Sequence, residues 1–82
     1  MVKEVIKSPR IMREIKLIDK SHLERVEKII IKIIQNPEIG KPMRYARKGT
    51  REVYLGSFRL SYAYDSSAEI LTFLDIYHKD GQ

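Results

Sequence analysis

The sequence predicts an α+β fold in which an N-terminal α-helical hairpin packs on one face of a twisted antiparallel sheet of about four strands. Two segments near the N-terminus place their apolar residues at helical spacing, and each is preceded by residues that cap helices. A proline ends the second segment, and beyond it the pattern changes to alternation and tight turns. The predicted order is therefore strand, helix, helix and then three or four strands.

The chain begins with a predicted strand and helix. Residues 1–7 alternate charged with apolar side chains, which favours a strand. Ser8 followed by Pro9 indicates a helix start, because a serine cap accepts a free backbone N–H and proline at the first helical position loses no hydrogen bond. We expect this helix to end at Leu17 or Ile18. Its expected buried face consists of Ile11, Ile15 and Ile18.

A second helix is predicted after a short turn. Ser21 with Glu24 three residues later is a capping box, in which each side chain bonds the other's free backbone N–H. Asn36 and Pro37 end the helix, because the proline ring removes a donor and disfavours helix in the preceding residue. The expected buried stripe consists of Leu23, Val26, Ile30, Ile33 and Ile34. The two helices are joined closely enough to form an antiparallel hairpin.

The remainder predicts strands joined by turns. We expect strands at 51–55, at 58–64 and at about 69–79, and 43–45 is a candidate for a further short strand. Gly56 with Ser57 supplies the tight reversal between the first two of these strands. The sequence therefore predicts a β-hairpin followed by a final strand.

Alternation along 58–64 divides this strand into two faces. One set should pack against the helices: Phe58, Leu60, Tyr62 and Tyr64. The other set lies on the face without helices, here called the open face: Arg59, Ser61 and Ala63. A long cation above two small side chains suits a shallow anion-binding cleft. Alternatively, Arg59 pairs with Glu52 or Asp75 across the sheet.

Composition narrows the functional class. With 82 residues we predict a single domain spanning 1–82. The sequence contains no cysteine, which excludes disulfides, thiolate metal sites and cysteine nucleophiles. The N-terminus lacks the apolar block of a signal peptide, and the most apolar run, 29–34, is too short to span a bilayer. We therefore expect a soluble, cytoplasmic protein that does not bind membranes.

The charge distribution points to a polyanion. The net charge is +5, and the stretch from 41 to 51 contains no acidic residue. Its cations are Lys41, Arg44, Arg47, Lys48 and Arg51, with Tyr45 among them. This segment should attract nucleic acid, although an ordinary solvated basic loop has the same composition.

Read in order, these motifs resemble a toxin of the RelE/ParE superfamily. The resemblance covers NPEIGKP at 36–42, REVYLGSFRLSY at 51–62 and IYHKD at 76–80, with Arg44-Tyr45 and Lys48-Gly49 between the first two. It implies the fold derived above. It also implies the toxin of a type II toxin–antitoxin system that enters the ribosomal A site, cleaves mRNA without a cofactor or metal, and is neutralised by an antitoxin.

The resemblance implies roles for particular residues. Arg59 matches the arginine that holds the scissile phosphate, and Lys79 matches a second phosphate ligand at the end of the last strand. Arg51 lies where the family often has a basic residue, although a one-residue slip of the hairpin would turn it to the other face. His78 is the candidate general acid or base, because imidazole titrates near neutral pH; an unremarkable histidine at a strand end is equally expected.

The wider RNA-binding surface is expected to include Lys41, Arg44, Tyr45, Arg47, Lys48, Tyr54 and Tyr77. The tyrosines Tyr54 and Tyr77 suit base stacking or hydrogen bonding, and cross-strand packing is the alternative for each. We expect no metal site, because His22 and His78 are separated and lack a nearby pattern of carboxylates.

Partners and competing functions follow from the same resemblance. We expect a cognate antitoxin, acidic and partly disordered to complement the net charge, in a toxin–antitoxin hetero-oligomer, with the ribosome and mRNA as targets. One alternative is a ParE-like inhibitor of DNA gyrase. Another is a catalytically degenerate protein that binds RNA or antitoxin. Many ribonuclease relatives continue past the last strand with a tyrosine or a basic helix, and a sequence ending at Gln82 is expected to lack that group.

Overall fold

The computed structural model of the chain describes residues 1–79. Asp80, which belongs to the last resemblance motif, lies outside these residues. In chain order the elements are β1 (Glu4–Lys7), α1 (Pro9–Leu17), α2 (Lys20–Gln35), β2 (Lys41–Pro42), β3 (Arg51–Leu55), β4 (Phe58–Asp65) and β5 (Ile70–His78). A single 3₁₀ turn at Tyr45–Arg47 lies between β2 and β3.

The strands form one sheet in the order β1-β5-β4-β3-β2. β1 pairs with β5 in parallel, and the other pairings are antiparallel. The predicted α+β class, the N-terminal strand and the helical hairpin are confirmed. The sheet differs from the expectation in having five strands and a mixed pattern. The helices carry the chain away from β1 to the far edge, and the antiparallel strands then lead back until β5 lies beside β1.

The start of α1 is as predicted. Ser8 Oγ accepts a hydrogen bond from the N–H of Ile11 at 3.1 Å and donates one to the carbonyl of Leu74 at 2.7 Å. The cap therefore also ties α1 to β5. Neither α1 nor α2 combines the length and the apolar character that a membrane span needs.

The start of α2 differs from the prediction. The N-cap is Asp19, whose carboxylate accepts hydrogen bonds from the backbone N–H groups of Ser21 and His22 and from the Ser21 hydroxyl. The predicted capping box between Ser21 and Glu24 was wrong. The turn between the helices is shorter than expected, so the helix begins at Lys20 and an ionised carboxylate takes the capping position.

The Asp19 cap gives a stability that depends on pH. Hydrogen bonds from Ser21 and then His22 lower the pKa of Asp19 from 3.8 to about 2. Because the folded pKa lies below the unfolded one, this contribution is present above about pH 4 and is lost as the pH falls towards 2. Asp19→Ala should therefore lower the melting temperature at pH 7, and the gap to wild type should narrow between pH 4 and 2.

Circular dichroism melts of wild type, Asp19→Ala and Asp19→Asn across this range check the prediction. The asparagine variant keeps a capping oxygen that does not titrate, so its melting temperature should show no change caused by the cap. A gap between wild type and Asp19→Ala that stays constant from pH 7 to pH 2 would contradict the assignment.

The core lies between the helices and the sheet. Leu60, Tyr62, Leu71, Phe73 and Ile76 contribute from the sheet, and Ile11, Val26 and Ile33 contribute from the helices. The predicted helix-facing side of β4 is confirmed, because its two central members are fully buried and Phe58 and Tyr64 pack against the same cluster. In the predicted α2 stripe, Val26 and Ile33 are fully buried, and Leu23, Ile30 and Ile34 are half-buried.

Tyr62 anchors the connection between α2 and β2. Its hydroxyl accepts a hydrogen bond from the N–H of Gly40 and donates one to the carbonyl of Pro37, each at 2.8 Å. Burial is the main cause that raises the pKa of Tyr62, so the hydroxyl stays protonated and makes both bonds at neutral pH. The glycine is required for space, since a Cβ on residue 40 would lie 2.6 Å from the tyrosine oxygen.

Gly40→Ala should therefore lower the free energy of unfolding by about 1–3 kcal/mol, the usual cost of overpacking. For a domain of this size each kcal/mol corresponds to roughly 4–8 °C in melting temperature. A double-mutant cycle with Tyr62→Leu tests the cause, because a shorter side chain leaves room for the new methyl group. An alanine penalty of the same size in both backgrounds would show that the tyrosine contact is not responsible.

Candidate anion-binding cleft on the open sheet face

The open face carries a cleft of about 360 Å³. It is lined by Met43, Arg47, Glu52, Tyr54, Arg59, Tyr77 and Lys79, and we call it the Arg59 cleft. Three neighbouring strands build it, because the register places Arg59 of β4 between Tyr54 of β3 and Tyr77 of β5. Side chains paired across adjacent strands lie on the same face.

Arg59 is held in place but remains accessible. Its guanidinium carbon lies 4.0 Å from the centroid of the Tyr54 ring, which is cation–π distance. The arginine side chain retains 23% of its exposure. Lys79 lines the same cleft at the end of β5, where its backbone N–H donates to the carbonyl of Ser57. Together with Arg47, these two cations face one opening.

Glu52 is the buried charge of the cleft. Its side chain is 2% exposed, and its Oε2 accepts hydrogen bonds from Arg47 at 2.8 Å and from the Tyr77 hydroxyl at 2.5 Å. Its Oε1 lies 3.9 Å from an Arg59 nitrogen, a loose ion pair without a hydrogen bond. Arg59 therefore does both: it pairs loosely with Glu52, as the alternative prediction stated, and it lines the cleft.

Burial and mutual hydrogen bonds in the cleft set the protonation states of Tyr77 and Arg47. Burial, followed by the hydrogen bond to Glu52, raises the pKa of Tyr77, so its hydroxyl is a donor at neutral pH. The hydrogen bond with Tyr77 is the main cause that raises the pKa of Arg47, which stays charged. The result is one carboxylate oxygen with two donors and a second oxygen with room for another.

Asp75 does not compete for Arg59. It pairs with Ser61 in the register and lies on the open face, but its Oδ1 is 3.3 Å from Nε of Arg10 at the start of α1. This contact lacks the alignment of a hydrogen bond. The negative charge of Asp75 is thus balanced by Arg10 of α1. Glu52 is the carboxylate that lines the Arg59 cleft.

The structure does not bring all four predicted catalytic residues together. Arg59 and Lys79 share the cleft, whereas Arg51 and His78 lie on the helix-facing side of the sheet. Arg51 is the register partner of the core residue Tyr62, and its guanidinium donates to the carbonyls of Glu38 and Gly40.

His78 is the register partner of Phe58, and the two ring centroids are 5.3 Å apart. Phe58 in turn contacts His22 of α2 at 5.4 Å, which identifies the helix-facing side. A β-bulge, where Ser61 and Tyr62 of β4 pair out of step with β5, sets the face of each residue that follows it in β5. Catalytic roles for Arg51 and His78 stay predictions.

The basic segment is a turn beside the cleft. The predicted short strand at 43–45 was wrong: the pairing strand is β2, and Tyr45 opens the 3₁₀ turn. Arg47 reaches into the Arg59 cleft, whereas no carboxylate among residues 1–79 lies within 4 Å of Lys41, Arg44, Lys48 or Lys79. These four cations are available for an anionic ligand.

Sequence reasoning missed Glu52 as a site residue. The signal was present, because a hairpin reversing at Gly56 and Ser57 pairs Glu52 with Ser61, two residues from Arg59 on the same face. A charge in the middle of a strand of a small basic protein then needs a partner.

Among residues 1–79 no group of three or more metal-ligating side chains lies close enough to hold a metal ion.

Comparisons with known proteins agree with this architecture. The model of a family described as the ParE toxin of the type II toxin–antitoxin system parDE matches residues 5–82. A comparison with curated protein sequences gave no significant match.

Three solved structures show the similarity in fold. A chain of the RelBE2 toxin–antitoxin complex from Mycobacterium tuberculosis has a TM-score of 0.84 and 22% identity, covering 95% of this chain and 99% of that one. The YoeB/ParE toxin from Agrobacterium tumefaciens has a TM-score of 0.81 and 13% identity, covering 92% and 96%. YafQ from Escherichia coli has a TM-score of 0.75 and 20% identity, covering 93% and 92%. At these identities the likeness shows the fold.

Proposed function

This chain belongs to the ParE toxin family of type II toxin–antitoxin systems, and we propose that it is a toxin that cleaves mRNA in the ribosomal A site without a metal ion. The observation that carries the proposal is the Arg59 cleft. It holds three cations, a buried carboxylate and a protonated tyrosine hydroxyl within one opening. Cleavage of RNA by its own 2′-hydroxyl needs a proton acceptor, a proton donor and cations that stabilise the charged transition state.

Arg59 and Lys79 bind the scissile phosphate. The 2′-oxygen attacks the neighbouring phosphorus, the bond to the 5′-oxygen breaks, and negative charge builds up on the phosphoryl oxygens. Fixed cations in a partly enclosed site stabilise that charge, and one well-placed donor contributes about 3–4 kcal/mol to the transition state. The Tyr54 ring under Arg59 holds the guanidinium in position before the substrate arrives.

Glu52 takes the proton of the 2′-hydroxyl in this proposal. Its Oε2 is fixed by Arg47 and Tyr77, and its Oε1 has only the loose contact with Arg59. A phosphate that draws Arg59 towards itself leaves Oε1 as the acceptor. We assign this step to Glu52 rather than to His78, because His78 packs on Phe58 on the other side of the sheet.

The leaving 5′-oxygen also requires a proton. Lys79 lines the cleft as an ammonium group, and no carboxylate among residues 1–79 lies within 4 Å of it. We assign the donation to Lys79, which then serves as phosphate ligand and acid in the same step. A general acid or base typically contributes about 100- to 10,000-fold to a rate.

An antitoxin is the proposed protein partner. The net charge of +5, and the cations beside the cleft that have no carboxylate within 4 Å among residues 1–79, favour an acidic segment that is partly disordered when free. The RelBE2 structure from Mycobacterium tuberculosis, similar in fold, is a toxin–antitoxin complex. A segment lying over the Arg59 cleft would exclude RNA by occupying the same cations.

A second candidate function is inhibition of DNA gyrase. The matching family model carries the ParE name. In addition, Glu52 neutralises part of the charge of Arg47 and Arg59, which suits a structural network as well as an active site. In that case the cleft would be part of the scaffold, and the exposed basic segment would contact the partner.

Two parallel assays separate the candidates. Purified protein is added to translating ribosomes, with cuts in the mRNA mapped by primer extension, and to gyrase with supercoiled DNA. Cuts in the mRNA with unaffected gyrase are the expected result. Gyrase poisoning with intact mRNA would replace the proposal with the second candidate. Neither effect in protein with a cooperative melt would leave a catalytically degenerate binding protein.

A further inference from the structure

Tyr45 combines high solvent exposure with a positive backbone φ angle. The residue is 90% exposed. Its backbone has φ of 58°, a left-handed conformation that strains any residue with a Cβ. A large aromatic side chain thus stands in water on a strained residue. Strain of this kind persists where the surrounding structure fixes it, and it is frequent at ligand-binding sites.

Hydrogen bonds around Tyr45 fix its conformation. The N–H of Lys48 donates to the Tyr45 carbonyl at 3.0 Å, and the N–H of Met43 donates to the Thr50 carbonyl at 3.0 Å. The Thr50 hydroxyl and N–H both donate to the carbonyl of Arg47. Hydrogen bonds therefore connect the backbone of the turn from 43 to 50 and hold the segment that carries the Tyr45 ring.

The surroundings of the ring are cationic and concave. A cleft of about 400 Å³ is lined by Lys41, Pro42, Met43, Arg44 and Tyr45, and we call it the Tyr45 cleft. Neither lining cation has a carboxylate within 4 Å among residues 1–79. Met43 lines both this cleft and the Arg59 cleft, so the two clefts adjoin at this residue.

We propose that Tyr45 is a stacking platform for a base of single-stranded RNA whose phosphates are held by Lys41 and Arg44. This inference rests on the proposed function, because it places a second part of the same RNA beside the Arg59 cleft. Every base presents a flat aromatic face, so an exposed tyrosine between cations binds RNA with little sequence preference. Tyr45 then positions the strand, and Arg59 acts on its phosphate.

Binding of a short fluorescein-labelled oligoadenylate with 2′-O-methyl groups tests the proposal without any cleavage. Tyr45→Ala should weaken the affinity about 5- to 150-fold, as loss of one stacked base does. Tyr45→Phe keeps the ring and should bind like wild type. Arg13→Ala, an exposed change on α1, is the control for a general effect of substitution. Affinity within twofold of wild type for Tyr45→Ala would overturn the proposal.

Tyr45→Gly supplies a second signature. Glycine adopts a positive φ without strain, so this variant should melt at or above the wild-type temperature while it loses RNA affinity like the alanine variant. An oligonucleotide with abasic sites completes the test, because the difference between wild type and Tyr45→Ala should vanish when the bases are absent. If the difference persists on abasic RNA, stacking is not the interaction.

The binding and cleavage assays together distinguish a failure of this inference from a failure of the proposed function. mRNA cleavage by wild type together with normal RNA binding by Tyr45→Ala would remove only the stacking role. Loss of binding in Tyr45→Ala with no cleavage by wild type would remove the nuclease and keep the platform. If Tyr45→Ala weakens binding of an acidic polyglutamate peptide and leaves RNA affinity unchanged, Tyr45 is a protein contact and the proposal fails.

Discussion

Replacing Arg59 with alanine should reduce mRNA cleavage on translating ribosomes by about 100- to 1,000-fold, the usual effect of removing one charge-stabilising donor. The guanidinium is positioned by the Tyr54 ring and faces the cleft that Lys79 also lines. Its loss removes the group proposed to hold the phosphate in the transition state. The rate of appearance of cut mRNA, measured by primer extension at saturating toxin, is the readout.

Two further variants serve as controls for the effect of Arg59→Ala. Arg59→Lys keeps the charge but loses the planar fork and the stacking on Tyr54, so its rate should lie between those of wild type and Arg59→Ala. Arg13→Ala removes an equal charge from α1 and should cleave normally. If Arg59→Ala melts cooperatively near the wild-type temperature and still cleaves at the wild-type rate, the cleft is not the active site.

Glu52→Gln should lower cleavage and strengthen RNA binding at the same time. Loss of the proton acceptor reduces the rate by about 100- to 10,000-fold. Removing a negative charge that pairs with Arg47 and Arg59 leaves both cations free for phosphate. These opposite signs distinguish a catalytic carboxylate from a structural one, which would lose both properties together. Binding of uncleavable RNA and ribosome-dependent cleavage are measured on the same preparation.

Glu24→Gln is the matched control for Glu52→Gln, since it removes an equal charge from the exposed surface of α2. It should bind RNA slightly more tightly, through net charge alone, and cleave normally. Glu52→Gln is also expected to cost about 1–3 kcal/mol of stability, because the hydrogen bonds from Arg47 and Tyr77 to Oε2 lose their charged acceptor and the ion pair with Arg47 is lost. Tighter RNA binding with unchanged cleavage would show that Glu52 is not the proton acceptor.

Local signals in the sequence were sufficient for the elements. Ser8 with Pro9 predicted the start of α1, and the alternation in 58–64 predicted which side of β4 faces the helices. These predictions depend on interactions between residues close in sequence, or on a two-residue period that any sheet imposes. There are two exceptions. The short strand predicted at 43–45 lies at 41–42 instead, and at the start of α2, where Asp19 and Ser21 are both good caps, the length of the turn decided between them.

The candidate site was predicted only in part. Arg59 lies on the open face as expected, but the positions of Arg51 and His78 depended on hairpin register and on the bulge in β5. A shift of one residue moves a side chain to the opposite face, and a single sequence contains no direct record of such a shift. Glu52 was missed because its importance comes from partners 5 and 25 residues away.

The sequence by itself determined the fold class, the order of the elements, the amphipathic faces and the cation-rich segment that contains Tyr45. The tertiary structure alone decided which charges share a face and which carboxylate they surround. The physical reason is that periodicity and capping act over a few residues along the chain, whereas the cleft forms where three strands align in one register and bring distant side chains within hydrogen-bonding distance.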